Sequence, residues 1–127
     1  MRLLLDTHVL LWWLADDRRL KAPERKAIAD REALVYVSAV SIWEIAIKRS
    51  VRRLDVDLEA LDHELDAGGM IEIPIRWQHA KETAGLPSHH DDPFDRLLIA
   101  QARVEGLTLV SYDTAFHPYD VAVLPAT

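Results

Sequence analysis

Cysteine is absent from the 127 residues of this chain, which excludes a disulfide framework, a thiolate zinc site and a cysteine nucleophile. Long apolar runs are also missing. The longest early one, Val9 to Ala15, falls well short of the roughly 20 residues that a membrane span needs, and Met1-Arg2 lacks the basic stretch that opens a secretory signal. The expectation is a cytoplasmic chain with no cleaved leader and no membrane partner. Basic residues are outnumbered, 15 Lys and Arg against 21 Asp and Glu, for a formal charge of −6. That balance argues against a protein that grips nucleic acid with a broad basic face.

Apolar residues, by contrast, make up 50% of the chain. This is enough for a continuous core and rules out a disordered chain. Four tryptophans in so short a sequence also need burial or a partner.

Short apolar runs recur at Leu3 to Leu5, Leu34 to Val37, Ile71 to Pro74, Leu107 to Val110 and Val121 to Leu124. Each has strand length and lies close to a turn or capping residue. Helix-like stretches lie between them: Val9 to Leu14, Pro23 to Arg31, Val40 to Arg49, Leu58 to Ala67, Trp77 to Gly85 and Pro93 to Glu105. Pro23 and Pro93 suit first turns, while Gly68-Gly69, Gly85 and Gly106 suit helix exits. Strands alternating with helices, with no clean period of two in the strands, indicate a parallel sheet covered on both faces. With no repeat or linker, the expectation is one α/β domain over residues 1–127. Ligands in such sheets gather beyond the carboxyl ends of the strands, so the polar residues just after each apolar run carry the functional question.

Asp6 follows Leu3-Leu4-Leu5 directly and, taken alone, reads as a helix cap. Glu44 is the only charged residue in Ser38 to Ile47, and a carboxylate on so apolar a helix is expensive to desolvate unless it is paired, hydrogen-bonded or on a metal. A capping box from Ser41 to Glu44 is the structural alternative, but Ser38 is the better cap and leaves Glu44 inside the helix. Asp92 precedes Pro93 as a natural cap, which puts Asp95 in the first turn of a strongly apolar helix, where an acid is also favoured for structural reasons. Asp113 closes Leu109-Val110-Ser111-Tyr112-Asp113, again just past a strand.

In a parallel sheet all four acids can converge on one cleft. Unit charges about 4 Å apart repel by about 4 kcal/mol at an effective dielectric near 20, so a cation must compensate or protons must bind. Oxygen ligands without Cys, and without His at zincin spacing, suit Mg²⁺ or Mn²⁺ better than Zn²⁺. Such ions held by carboxylates carry out phosphodiester hydrolysis.

Leu3-Leu4-Leu5-Asp6-Thr7-His8, Ser38 to Glu44, Asp92 to Ala102 and Leu109 to Asp113 together resemble the PIN domain, specifically the VapC-type toxins of prokaryotic toxin–antitoxin pairs. The resemblance runs over nearly the whole chain, in order and at the usual separations. It implies a single-domain, three-layer α/β/α fold with a five-stranded parallel sheet, and a Mg²⁺- or Mn²⁺-dependent endoribonuclease. Asp6, Glu44, Asp95 and Asp113 match the family's four acids. Ser111 matches a small hydroxyl residue before the fourth acid, and Thr7 follows the first. The resemblance also implies an RNA substrate, a homodimer, and a small antitoxin covering the acidic cleft. Asp6 and Asp95 are then expected as principal metal ligands, with Glu44 and Asp113 ligating directly or through water.

His8 and His89-His90-Asp91 lie outside that acidic set and are expected in solvated loops. Lys48, Arg49, Arg52 and Arg53 form a local basic cluster, suited either to RNA or to a helix C-terminus. Arg96 suits either a phosphate contact or an ion pair. Trp12 and Trp13 suit an interface, with one of the two in the core. Other readings fit less well. A haloacid-dehalogenase pattern wants an acid where His8 stands, and a receiver domain wants paired acids after the first strand. A non-catalytic PIN-like module binding RNA or protein is the remaining alternative. Setting the four acids aside takes the net charge from −6 to −2, so most of the acidity belongs to one cleft, which a divalent ion would invert.

Overall fold

The computed structural model describes residues 1–50 and 56–126. Five parallel strands, β1 (Arg2–Leu5), β2 (Leu34–Ser38), β3 (Ile71–Ile73), β4 (Thr108–Val110) and β5 (Val123–Leu124), form one sheet in the order β3-β2-β1-β4-β5. Helices α1 (Thr7–Leu14), α2 (Ala22–Ala29), α3 (Ala39–Ser50), α4 (Leu58–Ala67), α5 (Trp77–Glu82) and α6 (Pro93–Glu105) supply the connections.

β1 is central, and its three leucines explain why the strands carry no alternation. Leu3 and Leu5 pack on one face with Val9 and Leu10 of α1, Ile28 of α2, Ile45 of α3 and Leu61 of α4. Leu4 packs on the other with Leu98, Ile99 and Ala102 of α6 and with Phe116. All three are fully buried, each contributing roughly 1.5–3 kcal/mol by burial. A strand covered on both faces has no polar side to alternate with, and the result is the expected α/β/α arrangement.

The topology also creates the cleft. From β1 the chain steps to β2 and β3 on one side, then returns to β4 and β5 on the other. The carboxyl ends of β1, β2 and β4 thus lie side by side where the order reverses, the place at which such sheets take ligands.

Several boundaries differ from the pattern-based expectation. Helix α1 begins at Thr7 rather than Val9 because Asp6 Oδ1 accepts the Val9 N–H at 2.8 Å. The stretch to Gly85 divides into α5 and a 3-10 turn, Thr83–Gly85. β5 is only two residues long, held through the N–H groups of Leu109 and Ser111, which donate to Ala122 and Leu124 carbonyls. At the end of α6, Gly106 takes φ 68°, a left-handed cap that a side chain would strain.

The tryptophans divide differently as well. Trp12 and Trp13 are both half-buried against the core, so neither is an open interface residue by itself. The exposed ones are Trp43, at 55%, and Trp77, at 90%. Among the described residues no helix is long and apolar enough to cross a membrane.

Candidate metal centre

The four acids arrive at the cleft from four elements, and three polar side chains tie them into one arrangement. Asp6 ends β1. Its Oδ1 caps α1, while Oδ2 accepts a short hydrogen bond from Ser111 Oγ, just past β4. The structural reading of Asp6 as a cap is therefore correct, and only one carboxylate oxygen is used for it. Ser111 Oγ also accepts the Asp113 N–H at 3.0 Å, so one hydroxyl fixes the first acid against the backbone of the fourth. Asp113 in turn caps the 3-10 turn Thr114–Phe116 through Oδ1, which accepts from Ala115 N–H at 2.9 Å.

On the other side of β1, Thr7 Oγ1 donates to Glu44 Oε1 at 2.6 Å and lies 3.0 Å from Ser41 Oγ. Ser38 Oγ accepts the Val40 N–H, which makes it the cap of α3 and places Glu44 inside the helix, away from any Ser41 capping box. Glu44 is buried, and its second oxygen pairs with Lys48 Nζ at 2.9 Å, one turn on. Lys48 therefore points into this cleft, and Arg49 Nε donates to the Val56 carbonyl. The basic cluster anticipated from sequence does not act as one open face at these two residues; Arg52 and Arg53 lie outside the described residues.

Asp95 sits in the first turn of α6. Asp92 Oδ1 accepts the N–H groups of Phe94 and Asp95, so Asp92 alone caps the helix and the Asp95 carboxylate is free for other work. Its Oδ2 accepts from His90 Nε2 at 2.7 Å. His90 Nε2 also lies 3.9 Å from Asp113 Oδ2. His90 was expected in a solvated loop; instead it is half-buried between two of the acids. Sequence pattern offered no signal for it, because a histidine in a Pro-, Ser- and Asp-rich stretch looks like solvated loop until the tertiary fold places it. Its neighbour His89 is exposed in the loop, as expected, whereas His8, also exposed, lies in the first turn of α1 and not in a loop, because Asp6 caps that helix one residue before Thr7.

Arg96 makes no ion pair with an acid among the described residues. Its guanidinium donates to the carbonyls of Thr83, Leu86, Pro87 and His90, stapling the loop before α6. Tyr119 completes that staple: its hydroxyl accepts the His90 N–H at 2.9 Å and donates to the Pro87 carbonyl at 2.8 Å.

The acids feel one another. Burial pushes the Asp6 carboxyl up from its ordinary value, against the opposing hydrogen bonds from Ser111 and the Val9 N–H, and the Asp113 charge pushes it further. Burial and then the Asp92 charge hold Asp95 at about 6, with Glu44 adding to the rise and His90 opposing it. Both carboxyls are raised first by burial and then by neighbouring acids, so a cation entering the cleft would favour their charged forms. The donor set fits a divalent ion: His90, Asp95 and Asp113 each present one ligand atom, all within 4.8 Å of one another. Asp6 and Glu44 lie outside that trio: Ser111 ties Asp6 to the Asp113 main chain, Thr7 ties Glu44 to α1, and the two acids reach the trio through charge, Asp6 with Asp113 and Glu44 with Asp95.

Comparison with known proteins follows the same lines. A family model for the PIN domain matches residues 3–122. The sequence is 32% identical over 126 residues to Ribonuclease VapC22 of Mycobacterium tuberculosis, an alignment covering 94% of this chain and 96% of that protein. VapBC2 from Rickettsia felis, solved bound to a DNA fragment from the promoter, shares the fold with a TM-score of 0.72 at 15% identity, over 97% of both chains. A toxin–antitoxin complex from Klebsiella pneumoniae shares it with a TM-score of 0.61 at 17% identity, over 89% of this chain and 88% of that one. The chain belongs to the PIN domain family. Its similarity to VapC22 over nearly the full length of both proteins places it with the VapC-type members.

Proposed function

We propose that this protein is a metal-dependent endoribonuclease, the toxin of a toxin–antitoxin pair. What supports this reading is that Asp95 and Asp113 offer ligand atoms together with His90 at the edge where β1 and β4 end, while Asp6 feels the charge of Asp113 and Asp95 that of Glu44. The 32% identity to a protein named Ribonuclease VapC22 supports the activity.

Asp6, Glu44, Asp95 and Asp113 would hold Mg²⁺ or Mn²⁺. When bound, the ion supplies a Lewis acid that makes water a competent nucleophile near neutral pH and offsets charge on the phosphoryl oxygens. The protein's own residues do the positioning. Ser111 fixes one oxygen of Asp6, the α1 N-terminus fixes the other, and Thr7 orients Glu44. Lys48 places a second positive charge beside Glu44, where it offsets part of the phosphate charge as RNA enters. Arg96 and Tyr119 hold the loop that closes one side of the cleft.

The partner is a small antitoxin whose segment covers the acidic cleft, and the chain is a homodimer. The exposed side chains of Trp43 and Ile71 line one apolar groove with Ile42, Leu58 and Met70, and a contiguous apolar surface of that kind supports a covered face. The solved neighbour from K. pneumoniae is itself a toxin–antitoxin complex.

The test is purification free of antitoxin, followed by cleavage of labelled RNA in Mg²⁺, in Mn²⁺ and in EDTA, with Asp95→Asn alongside. Internal cuts that need metal and vanish in Asp95→Asn are expected. RNA bound but left intact in both metals would overturn the nuclease reading in favour of a binding module, and equal cleavage by Asp95→Asn would overturn the site assignment.

A further inference from the structure

We propose that His90 is a nitrogen ligand of the divalent ion, so that this centre takes Mn²⁺ and similar borderline ions ahead of Mg²⁺. The inference rests on the nuclease reading only in that both place an ion among the same acids.

The placement of His90 is built. Its main-chain N–H donates to the Tyr119 hydroxyl, its carbonyl accepts from Arg96 at 3.2 Å, and its ring meets Phe116 edge to face with centroids 6.1 Å apart. Between these contacts the ring turns Nε2 toward the acids, to Asp95 Oδ2 at 2.7 Å and Asp113 Oδ2 at 3.9 Å. A six-coordinate ion with bonds of about 2.1 Å sets neighbouring ligand atoms about 3 Å apart, within the range that these two separations span. A histidine serving only as a hydrogen-bond partner for Asp95 would not need to stand within reach of Asp113 too.

The chemistry separates the ions. Mg²⁺ takes oxygen ligands almost exclusively, whereas imidazole suits later divalent ions, and one nitrogen among carboxylates shifts preference toward them. Binding through Nε2 requires that this nitrogen carry no proton. The ring therefore takes the Nδ1–H tautomer, and the Nε2–H to Asp95 hydrogen bond gives way as both groups turn their lone pairs to the ion. From an imidazolium, one proton leaves to solvent.

Pulsed electron paramagnetic resonance on Mn²⁺ bound to the unaltered protein reads this directly. A ¹⁴N coupling is expected in the parent and in His89→Ala, and is lost in His90→Ala. Calorimetry is expected to show Mn²⁺ affinity falling about tenfold in His90→Ala, with Mg²⁺ affinity changed less than Mn²⁺ affinity. The spectrum of the parent needs no variant to fold. Bound Mn²⁺ without ¹⁴N coupling, coupling that survives in His90→Ala, or equal loss for both ions would overturn the proposal while leaving the nuclease reading intact. Failure of the parent to bind Mn²⁺ at all overturns both.

Discussion

The Thr7 hydroxyl donates to Glu44 Oε1 at 2.6 Å, joining the first residue of α1 to the second turn of α3 across the cleft. Glu44 is buried, so an oxygen left without its donor loses solvation that nothing returns. Thr7→Val keeps the shape and removes the hydroxyl. The expected loss is about 1–3 kcal/mol of stability, measured by urea unfolding, with RNA cleavage at saturating metal reduced as well. Thr7→Ser is expected to restore both. Unchanged cleavage in Thr7→Val would show that Glu44 holds its place through Lys48 alone.

Asp95 makes stability depend on pH in a direction opposite to an ordinary ion-paired carboxylate. Its folded value of about 6 lies above the ordinary 3.8, so between those values the folded state binds a proton that the unfolded state has released. The associated stability is fully present below about 3.8 and is lost as pH rises through about 6. In EDTA, the melting temperature of Asp95→Asn is expected to exceed that of the parent near pH 7, by the equivalent of about 2 kcal/mol, and the gap is expected to close toward pH 4. Metal, which binds the carboxylate, is expected to raise the melting temperature of the parent and not of the variant. A variant less stable than the parent in EDTA would assign Asp95 to holding His90 rather than to binding metal.

The elements that local pattern decides are legible in the sequence. Apolar runs mark every strand, Pro23 and Pro93 mark first turns, and Asp92 marks the cap of α6. Ser38 marks the start of α3, which is what puts Glu44 inside it. Asp6 and Asp113 stand out because each follows a strand, Asp95 because it opens a helix, and Glu44 because it is the one charge on the apolar first turns of α3. Long-range contacts are not legible in this way. Nothing near His90 in sequence announces Asp113, which is brought to it only by the position of β4. Arg96, next to Asp95, invites an electrostatic role, yet its five donors are taken mostly by main-chain carbonyls of a preceding loop, which sequence cannot locate. Lys48 looked like part of a basic surface because a lysine one turn after a buried glutamate and a lysine at a helix end are the same residue in one dimension.

Gln101 is fully buried on α6 and joins three elements. Its Oε1 accepts from Ser38 Oγ, and its Nε2 donates to the Pro74 carbonyl at 3.2 Å and lies 3.3 Å from His79 Nδ1. Among the described residues no buried side-chain polar atom lacks a partner, and Gln101 is a main reason. Gln101→Leu preserves volume but strips a donor and an acceptor from groups that stay buried, so a loss of about 2–3 kcal/mol is expected in chemical denaturation. Combining it with Ser38→Ala is expected to cost less than the sum of the two single changes, because both ends of one bond are then removed. Strict additivity would show that Ser38 and Gln101 do not support one another.

Arg96 gives the sharpest separation of positioning from charge. It reaches four main-chain carbonyls from Thr83 to His90, a planar fork that an ammonium cannot reproduce. Arg96→Lys retains the charge, so an electrostatic role would survive it. The positioning role predicts otherwise: amide hydrogen exchange in residues 83–90 is expected to accelerate, Mn²⁺ affinity to fall as His90 loses its anchor, and stability to drop by about 2 kcal/mol or more. Arg96→Lys and Arg96→Ala are then expected to behave alike in metal binding. Recovery by lysine of parent-like exchange and affinity would show that the charge beside Asp95, and not the staple, is what the site uses.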